Sequence, residues 1–494
     1  MKDKILKLSL NVVSSFFALF SILFLISNIF FTTEVNTMRN IYSTSAICDY
    51  LLLIIVFILI FLLWKTLKNV DNRIIVFCML TIFGIYGLFI ISSLGNQLNV
   101  LDDQRAIVVL AQEFANNDFT NAGYKSYLNL YPHQSTIITI LLILCKVVGE
   151  NLVFVIRLIN LIFSLLSYYF IYRLVDNVFK KEEITKISLI IMFCMWHMIN
   201  LSVITYTQSI TYSLGIISAY FFTVYYEKKE VRYFYISLIL ALISSMIRMN
   251  NLIVVIAYII FLLLDLISLK RVLPFIISCL LLLGSFGINN TLIKFYESKG
   301  ETSYDNSLPA IVYIAVGLNY QYDTPGLHFD ALNKYHYAND FVTEYTEKEA
   351  MWYINNSLNA FKDINVLTQF LTLKFFGTYT ITDMGVFDTF TDVKYELNPL
   401  AETFLKGPLK YNINVFWNAI FSIVGVGLFL FTFGNKKITL VQMIPATIIV
   451  GGFLFHIIHE TKAIYVVMYI MMLIPYASFG INRLFTYIEN KIIK

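Results

Sequence analysis

The sequence predicts an all-α polytopic membrane protein of about twelve spans, with interfacial helices on its outer face and a small, mainly helical outer cap. Three observations predict it. Of 494 residues, 58% are hydrophobic and 14% charged, where soluble domains hold about 45–50% apolar and about 25% charged residues. The mean hydropathy is +0.72, and apolar runs long enough to cross the hydrocarbon core recur along the chain. Lys and Arg gather in alternate short connectors, as they do in multi-span proteins. This composition excludes a cytosolic enzyme, a secreted protein and a nucleic-acid-binding module. With 36 basic and 32 acidic residues the net charge is only +4, too balanced for an anionic polymer partner.

Lys2, Lys4 and Lys7 precede an apolar stretch from about Leu8 to Phe31. It is longer than a signal-peptide core and has no small-residue cleavage site, so it reads as a retained first span. Further spans are read near residues 48–65, 74–95, 152–174, 187–207, 210–226, 231–247, 251–269, 272–293, 412–433, 439–459 and 462–482. The connectors holding Lys65, Lys68 and Arg73, then Arg173, Lys180, Lys181 and Lys186, then Lys228, Lys229 and Arg232, Lys270 and Arg271, and Lys436 and Lys437 are predicted to be cytoplasmic, with both termini. Ser135 to Val148 is apolar but short and contains Lys146. If it crossed, every later basic connector would lie outside, so it is expected to lie in the outer interface or to dip in and return. Residues 1–95 form N-terminal spans, 96–293 a membrane core whose first outer loop is 96–150, 294–411 an extracytoplasmic cap, and 412–494 the C-terminal spans. The cap is too long for an idle connector, and its pattern through Glu347–Phe376 predicts amphipathic helices against the membrane surface. Five dispersed cysteines, with no C-x-x-C pair, read as small hydrophobes.

Four places carry residues suited to chemistry. Asp102, Asp103 and Arg105 follow the third span, where a carboxylate at the membrane boundary can act as general base, hold a cation, or simply cap the next helix. Tyr131-Pro132-His133-Gln134 is a turn ahead of a helix start, and its histidine can hydrogen-bond a hydroxyl or phosphate as readily as it can anchor at the interface. Arg157 and Arg248, with Asn250 beside the latter, stand in apolar surroundings; each can clamp a phosphate or snorkel to the headgroups. Gly451 to Tyr465 packs His456, His459, Glu460, Lys462 and Tyr465 at a membrane boundary. The two histidines lie one helical turn apart, but the order is not H-E-x-x-H and no third ligand is evident, so a polar cluster for an anionic headgroup fits better than a metal. Phosphate-loop, dinucleotide and serine-hydrolase motifs are absent.

Taken together, Asp103-Gln104, Tyr131-Pro132-His133-Gln134, Arg248-Met249-Asn250 and the Gly451–Tyr465 segment resemble the GT-C class of membrane glycosyltransferases. The likeness is to bacterial, Gram-positive relatives of the protein O-mannosyltransferases (glycosyltransferase family 39), from about residue 95 onward. The resemblance implies inverting transfer of a sugar from a polyprenyl-phosphate carrier to a cell-envelope glycan, lipid or protein acceptor on the outer face. A bacterial plasma membrane as the location is likewise what the resemblance implies. It implies Asp103, beside Asp102, as general base or as the group that orients the acceptor hydroxyl, and Arg248, Lys462 and Tyr465 as contacts of the carrier phosphate; Tyr131, His133, Gln134, Arg157, Asn250, His459 and Glu460 are the further substrate-binding candidates. A phosphate leaving group needs fixed positive donors and an inverting displacement one base, which agrees with the residues. The sequence fixes no cofactor; a divalent cation is the one candidate, weakened because the turn at Tyr206-Thr207-Gln208 carries no acid. In the cap, Asp323, Lys374 and Asp383 are candidates for acceptor contacts. A flippase for lipid-linked oligosaccharide and a polysaccharide polymerase are the competing readings. The absence of internal symmetry and the gathering of charge at outer span ends favour the enzyme over the flippase.

Overall fold

The computed structural model describes residues 2–36, 39–98, 103–269, 272–321, 325–327, 330–386, 398–405, 407–435 and 438–492. Helix α1 (Lys2–Phe30) leads into an antiparallel hairpin, β1 (Phe31–Asn36) and β2 (Arg39–Thr44), with Phe31 opposite Thr44. Helices α2 (Ile47–Thr66) and α3 (Asn72–Leu94) follow. Asp71 caps α3 by accepting from the Arg73 amide at 2.8 Å, the usual way an exposed helix start satisfies its free N–H groups. The next elements are α4 (Asp103–Ala115), α5 (Tyr127–Leu130), α6 (Ser135–Val148), α7 (Leu152–Phe179), α8 (Glu182–Cys194), α9 (His197–Leu201), α10 (Gln208–Lys228), α11 (Val231–Ile247), α12 (Leu252–Leu269) and α13 (Val272–Lys299). The cap holds α14 (Ile311–Leu318), α15 (Ala331–Ala338), α16 (Thr343–Ala360), α17 (Ile364–Tyr379) and α18 (Pro399–Leu405). Helices α19 (Pro408–Gly434), α20 (Leu440–Ile458) and α21 (Val467–Ile492) close the chain.

The fold is all-α and polytopic. Among the described residues nine helical segments are long and apolar enough to cross a membrane, and α11 is a shorter apolar helix. The segment read as a span over 187–207 is not one helix. The chain leaves helical geometry after Cys194, makes the short α9, and stays irregular to Thr207. Side chains meet the backbone groups this frees. Trp417 Nε1 donates to Cys194 O at 3.0 Å and the Tyr168 hydroxyl donates to Met195 O, while the His197 side chain ties the break to the cap, its Nε2 2.6 Å from Thr382 O. Broken backbone at membrane depth is tolerable where protein covers it in this way.

Helix α6, at 14 residues, is about 21 Å long and too short to cross. At its start Gln134 donates to the Tyr206 hydroxyl. At its end Gly149, at φ +60°, turns the chain, and Asn151 then accepts from Asn96, just beyond α3, at 3.2 Å. Arg157 joins the end of α3 to the stretch before Tyr206, so both ends of α6 lie at one end of the bundle.

The main core is aromatic, with Phe17, Phe179, Phe431 and Tyr476 in mutual contact. Gly427 and Gly480 let α19 and α21 touch backbone to backbone: a Cβ on Gly480 would overlap the Gly427 carbonyl. The cap has its own small core of Leu308, Val312, Val316, Leu332, Phe341 and Ile354, sealed by Leu130 from the first outer loop.

Candidate active site

The site lies where the first outer loop, the α9–α10 and α11–α12 turns, the end of α20 and the cap converge. Arg157 on α7 is buried, and its Nε, Nη1 and Nη2 donate to Val203 O at 2.9 Å, Gly95 O at 2.9 Å and Gln97 O at 2.7 Å. Irregular backbone beside it offers carbonyls with no helical partner, and a guanidinium has the donors to satisfy them. Arg157 is thus turned to the backbone, not to a phosphate. It fixes the approach to α4, and Gln104 continues the tie by accepting from the Thr205 amide at 2.9 Å. Asp102 lies outside the described residues.

Asp103 is the first residue of α4 and is exposed, a favourable place for a negative charge at a helix N-terminus. It also faces a wall of tyrosines. Burial raises the phenols of Tyr127 and Tyr131, and the Asp103 carboxylate raises them further. Pro132 opens a 3-10 turn, Pro132–Gln134, which sends Gln134 inward to Tyr206. The Tyr131 hydroxyl accepts from Asn333 of the cap at 2.9 Å, and the His133 ring stands 6.0 Å from that of Tyr131 and 6.5 Å from that of Tyr313.

Arg248 ends α11 in extended backbone, φ −144° and ψ 108°. Its Nη1 donates to Thr207 Oγ1 at 3.2 Å. The guanidinium carbon lies 4.8 Å from the Tyr465 ring centre and 5.8 Å from those of Tyr206 and Tyr212, while Nε is buried without a partner. Tyr206 lies in the field of both Asp103 and Arg248, so it links the two. Asn250 is half-buried in the turn after Arg248; its neighbour Asn251 is buried and donates to Ser244 Oγ at 2.7 Å. Beside this turn a shallow recess on the flank of the bundle is lined by Ser245, Met246, Met249, Ser285, Phe286 and Asn289.

Beyond α20 the two histidines part. His456 stays on the helix, fully enclosed, 6.3 Å from the Tyr465 ring and 6.1 Å from that of Tyr469, with neither nitrogen partnered. His459 leaves the helix and stacks on Phe455 and Tyr313 at 4.4 and 5.6 Å. Among the described residues no three His, Cys, Asp or Glu side chains gather as a metal site. Glu460 is buried; its amide donates to Tyr313 O at 2.9 Å and its carboxylate accepts from the Tyr465 hydroxyl at 3.2 Å. Lys462 is exposed.

Lys374 of the cap is sealed in. Its ammonium donates to Gly317 O, to Ile457 O at 2.9 Å and to His459 O at 3.0 Å. Burial pushes it down to about 7 and the Glu460 charge pulls it up. Three carbonyl acceptors require three N–H donors, so the arrangement fits the charged form. Lys374 is therefore a strap between cap and α20, not an acceptor contact. Asp383 is likewise buried, accepting from the Gly385 amide at 3.0 Å within its own turn, and Asp323 lies outside the described residues.

Two carboxylates, Asp103 and Glu460, thus bear on the same pair of tyrosines, Tyr131 and Tyr313. Of Arg157, Lys374 and Arg248, it is Arg248 that has no backbone carbonyl on its guanidinium among the described residues. Tyr206 and Tyr313 were not singled out as site residues from the sequence. Tyr206 had a signal, the polar run Thr205–Ser209 inside an apolar stretch; Tyr313 sits in an apolar cap helix and had none.

Residues 107–296 match the Alg9-like mannosyltransferase family, membrane glycosyltransferases of the GT-C class. The match runs from within α4 to within α13; it takes in Tyr206, Arg248 and the first outer loop from residue 107 on, and begins after Asp103. No curated protein and no solved structure matches the chain. The family match, over less than half of the chain, and the apolar helices support a multi-pass membrane glycosyltransferase.

Proposed function

We propose that this protein transfers a hexose, mannose by the family match, from a polyprenyl-phosphate carrier to a cell-envelope acceptor at the capped end of the bundle, the outer face of the membrane. The observation that carries the reading is the pairing, across Tyr206, of an accessible carboxylate on Asp103 with an arginine, Arg248, that keeps an unpartnered Nε. An inverting transfer needs both. Asp103 takes the proton from the acceptor hydroxyl as its oxygen attacks the anomeric carbon. The bond from that carbon to the phosphate oxygen breaks, and the departing phosphate gains one negative charge. Arg248 faces that charge in a site where protein has displaced water, so its attraction grows along the reaction. The recess lined by Met246, Met249 and Phe286, with Met249 next in sequence to Arg248, offers apolar side chains suited to an isoprenoid chain.

The test is label transfer from a panel of radiolabelled polyprenyl-phosphate sugars to envelope acceptors by purified protein, wild type beside Asp103→Asn. Transfer that the variant loses supports the reading and names the sugar. Absence of transfer from every donor, with labelled lipid-linked oligosaccharide crossing reconstituted vesicles, overturns it in favour of a flippase.

A further inference from the structure

The opposite end of the bundle carries a second arrangement of charge and aromatic rings, unconnected to the site above. Helix α10 begins beside Tyr206 and ends at Lys228, about 30 Å away at 1.5 Å per residue, which is the thickness of the hydrocarbon core. There Arg173, on α7, lies with its guanidinium carbon 5.9 Å from the Tyr169 ring and 5.6 Å from that of Tyr220, and its Nη1 donates to the Tyr169 hydroxyl at 3.0 Å. The rings continue sideways. Phe170 packs on Tyr220 and Phe221 at 5.3 and 5.7 Å, and Phe221 stacks on Tyr233 of α11 at 6.0 Å. Two more cations stand over Tyr233, Arg232 at 4.8 Å and Lys228 at 5.7 Å.

These rings are only half-buried and face outward from the bundle, forming an apolar wall along three helices with basic groups at its rim. Arg232 is paired with Glu230 at 2.6 Å, but Arg173 has no carboxylate within ion-pair distance among the described residues. A half-buried guanidinium at the bilayer boundary, resting on aromatic faces and held in no ion pair among the described residues, is complementary to an anion held at that depth, although the exposed Asp176 on the same helix also bears on Tyr172 and Tyr220. The wall beneath it is complementary to an acyl chain.

We propose that Arg173, with Arg232 and Lys228, holds the phosphate of an anionic glycerophospholipid whose acyl chain lies along Phe170, Tyr220 and Phe221. This is a structural lipid site remote from the transfer site, and it does not depend on the reading of that site.

The experiment uses the full chain in nanodiscs of phosphatidylglycerol or of phosphatidylcholine with the same acyl chains. Lipid retained by the protein is read by native mass spectrometry, together with the thermal unfolding midpoint. Phosphatidylglycerol is expected to be retained preferentially and to raise the midpoint. Arg173→Gln should lower its occupancy by about tenfold, the worth of one charge-assisted contact. Arg232→Gln, at an exposed position where folding is not at stake, should lower it in the same sense. Lys65→Gln, an exposed cation on α2 outside the patch, should leave it unchanged. Equal retention of the two lipids, an equal loss in Lys65→Gln, or unchanged occupancy in Arg232→Gln overturns the proposal. So does inorganic phosphate reproducing the rise in midpoint, because the ligand would then be a soluble anion.

Discussion

Asp103 and Arg248 act on opposite sides of the proposed displacement, so their substitutions separate kinetically. Asp103→Asn keeps the size but removes the base; kcat should fall about 10²–10⁴-fold with the donor requirement unchanged. A parallel rise in KM for the donor would show that Asp103 binds and does not take the proton. Arg248→Lys keeps a charge but loses the planar contact with three tyrosine rings and the hydrogen bond to Thr207. It should raise the donor requirement about tenfold and leave acceptor preference alone, measured by titrating donor at fixed acceptor. Lys374→Met removes the ammonium from three carbonyls. Each buried acceptor left unmet costs about 1–3 kcal/mol, so the midpoint of thermal unfolding should drop by several degrees. An unchanged midpoint would mean that water takes the place of the ammonium. The sequence exposed the charged residues in apolar surroundings and made Arg248, between two spans with almost no loop, more suggestive than Arg157, but it could not show which cation the backbone occupies. The difference is whether carbonyls from distant stretches, Gly95, Val203 and Gly317 among them, are left facing the cation.

At the scale of elements, helix periodicity and length identified α6 as too short to cross and located the long spans, because both follow from bilayer thickness. It missed the break between α8 and α10. An apolar run looks continuous in sequence, and what ends the helix is a set of partners on α7, α19 and the cap. The cap was foreseen as helical, and its interior depends on one titratable group. His336 Nε2 donates to Asn306 O at 3.0 Å, and its Nδ1, 2.7 Å from Thr346 Oγ1, accepts from that hydroxyl. Burial lowers its affinity for a proton. Below the ordinary histidine range the unfolded cap binds a proton that the folded cap resists, so the stabilisation present above that range is lost as pH falls. Hydrogen exchange in α15 and α16, corrected for the intrinsic rate, should therefore speed up between about pH 7.5 and 5. His336→Gln should flatten that dependence. A slope equal to the wild type's would assign the effect to another group.

At the scale of the whole molecule the described basic connectors, scattered in sequence, meet at one end; Lys270, Arg271, Lys436 and Lys437 lie outside the described residues. Lys68 pairs with Glu489 at 3.0 Å, Lys186 donates to Lys68 O at 2.6 Å, and Lys180 pairs with Glu227. The cap, Asp103 and Glu460 occupy the other end. Such segregation is what orients multi-span proteins with their basic end in the cytoplasm, and the proposal that the candidate site faces outward rests on that rule. The consequence is direct. In a chain with its five cysteines replaced, Glu347→Cys on the exposed side of α16 should react with an impermeant maleimide in intact cells. Lys228→Cys, at the basic end, should react only after the membrane is permeabilised. The reverse pattern would put the sugar-transfer site in the cytoplasm, and a lipid-linked donor would then have to be used on the face where it is made. Transfer at the outer face would fail as a reading even if Asp103 proved to be the base, because the chemistry depends on the site and the compartment on the charge that orients the bundle.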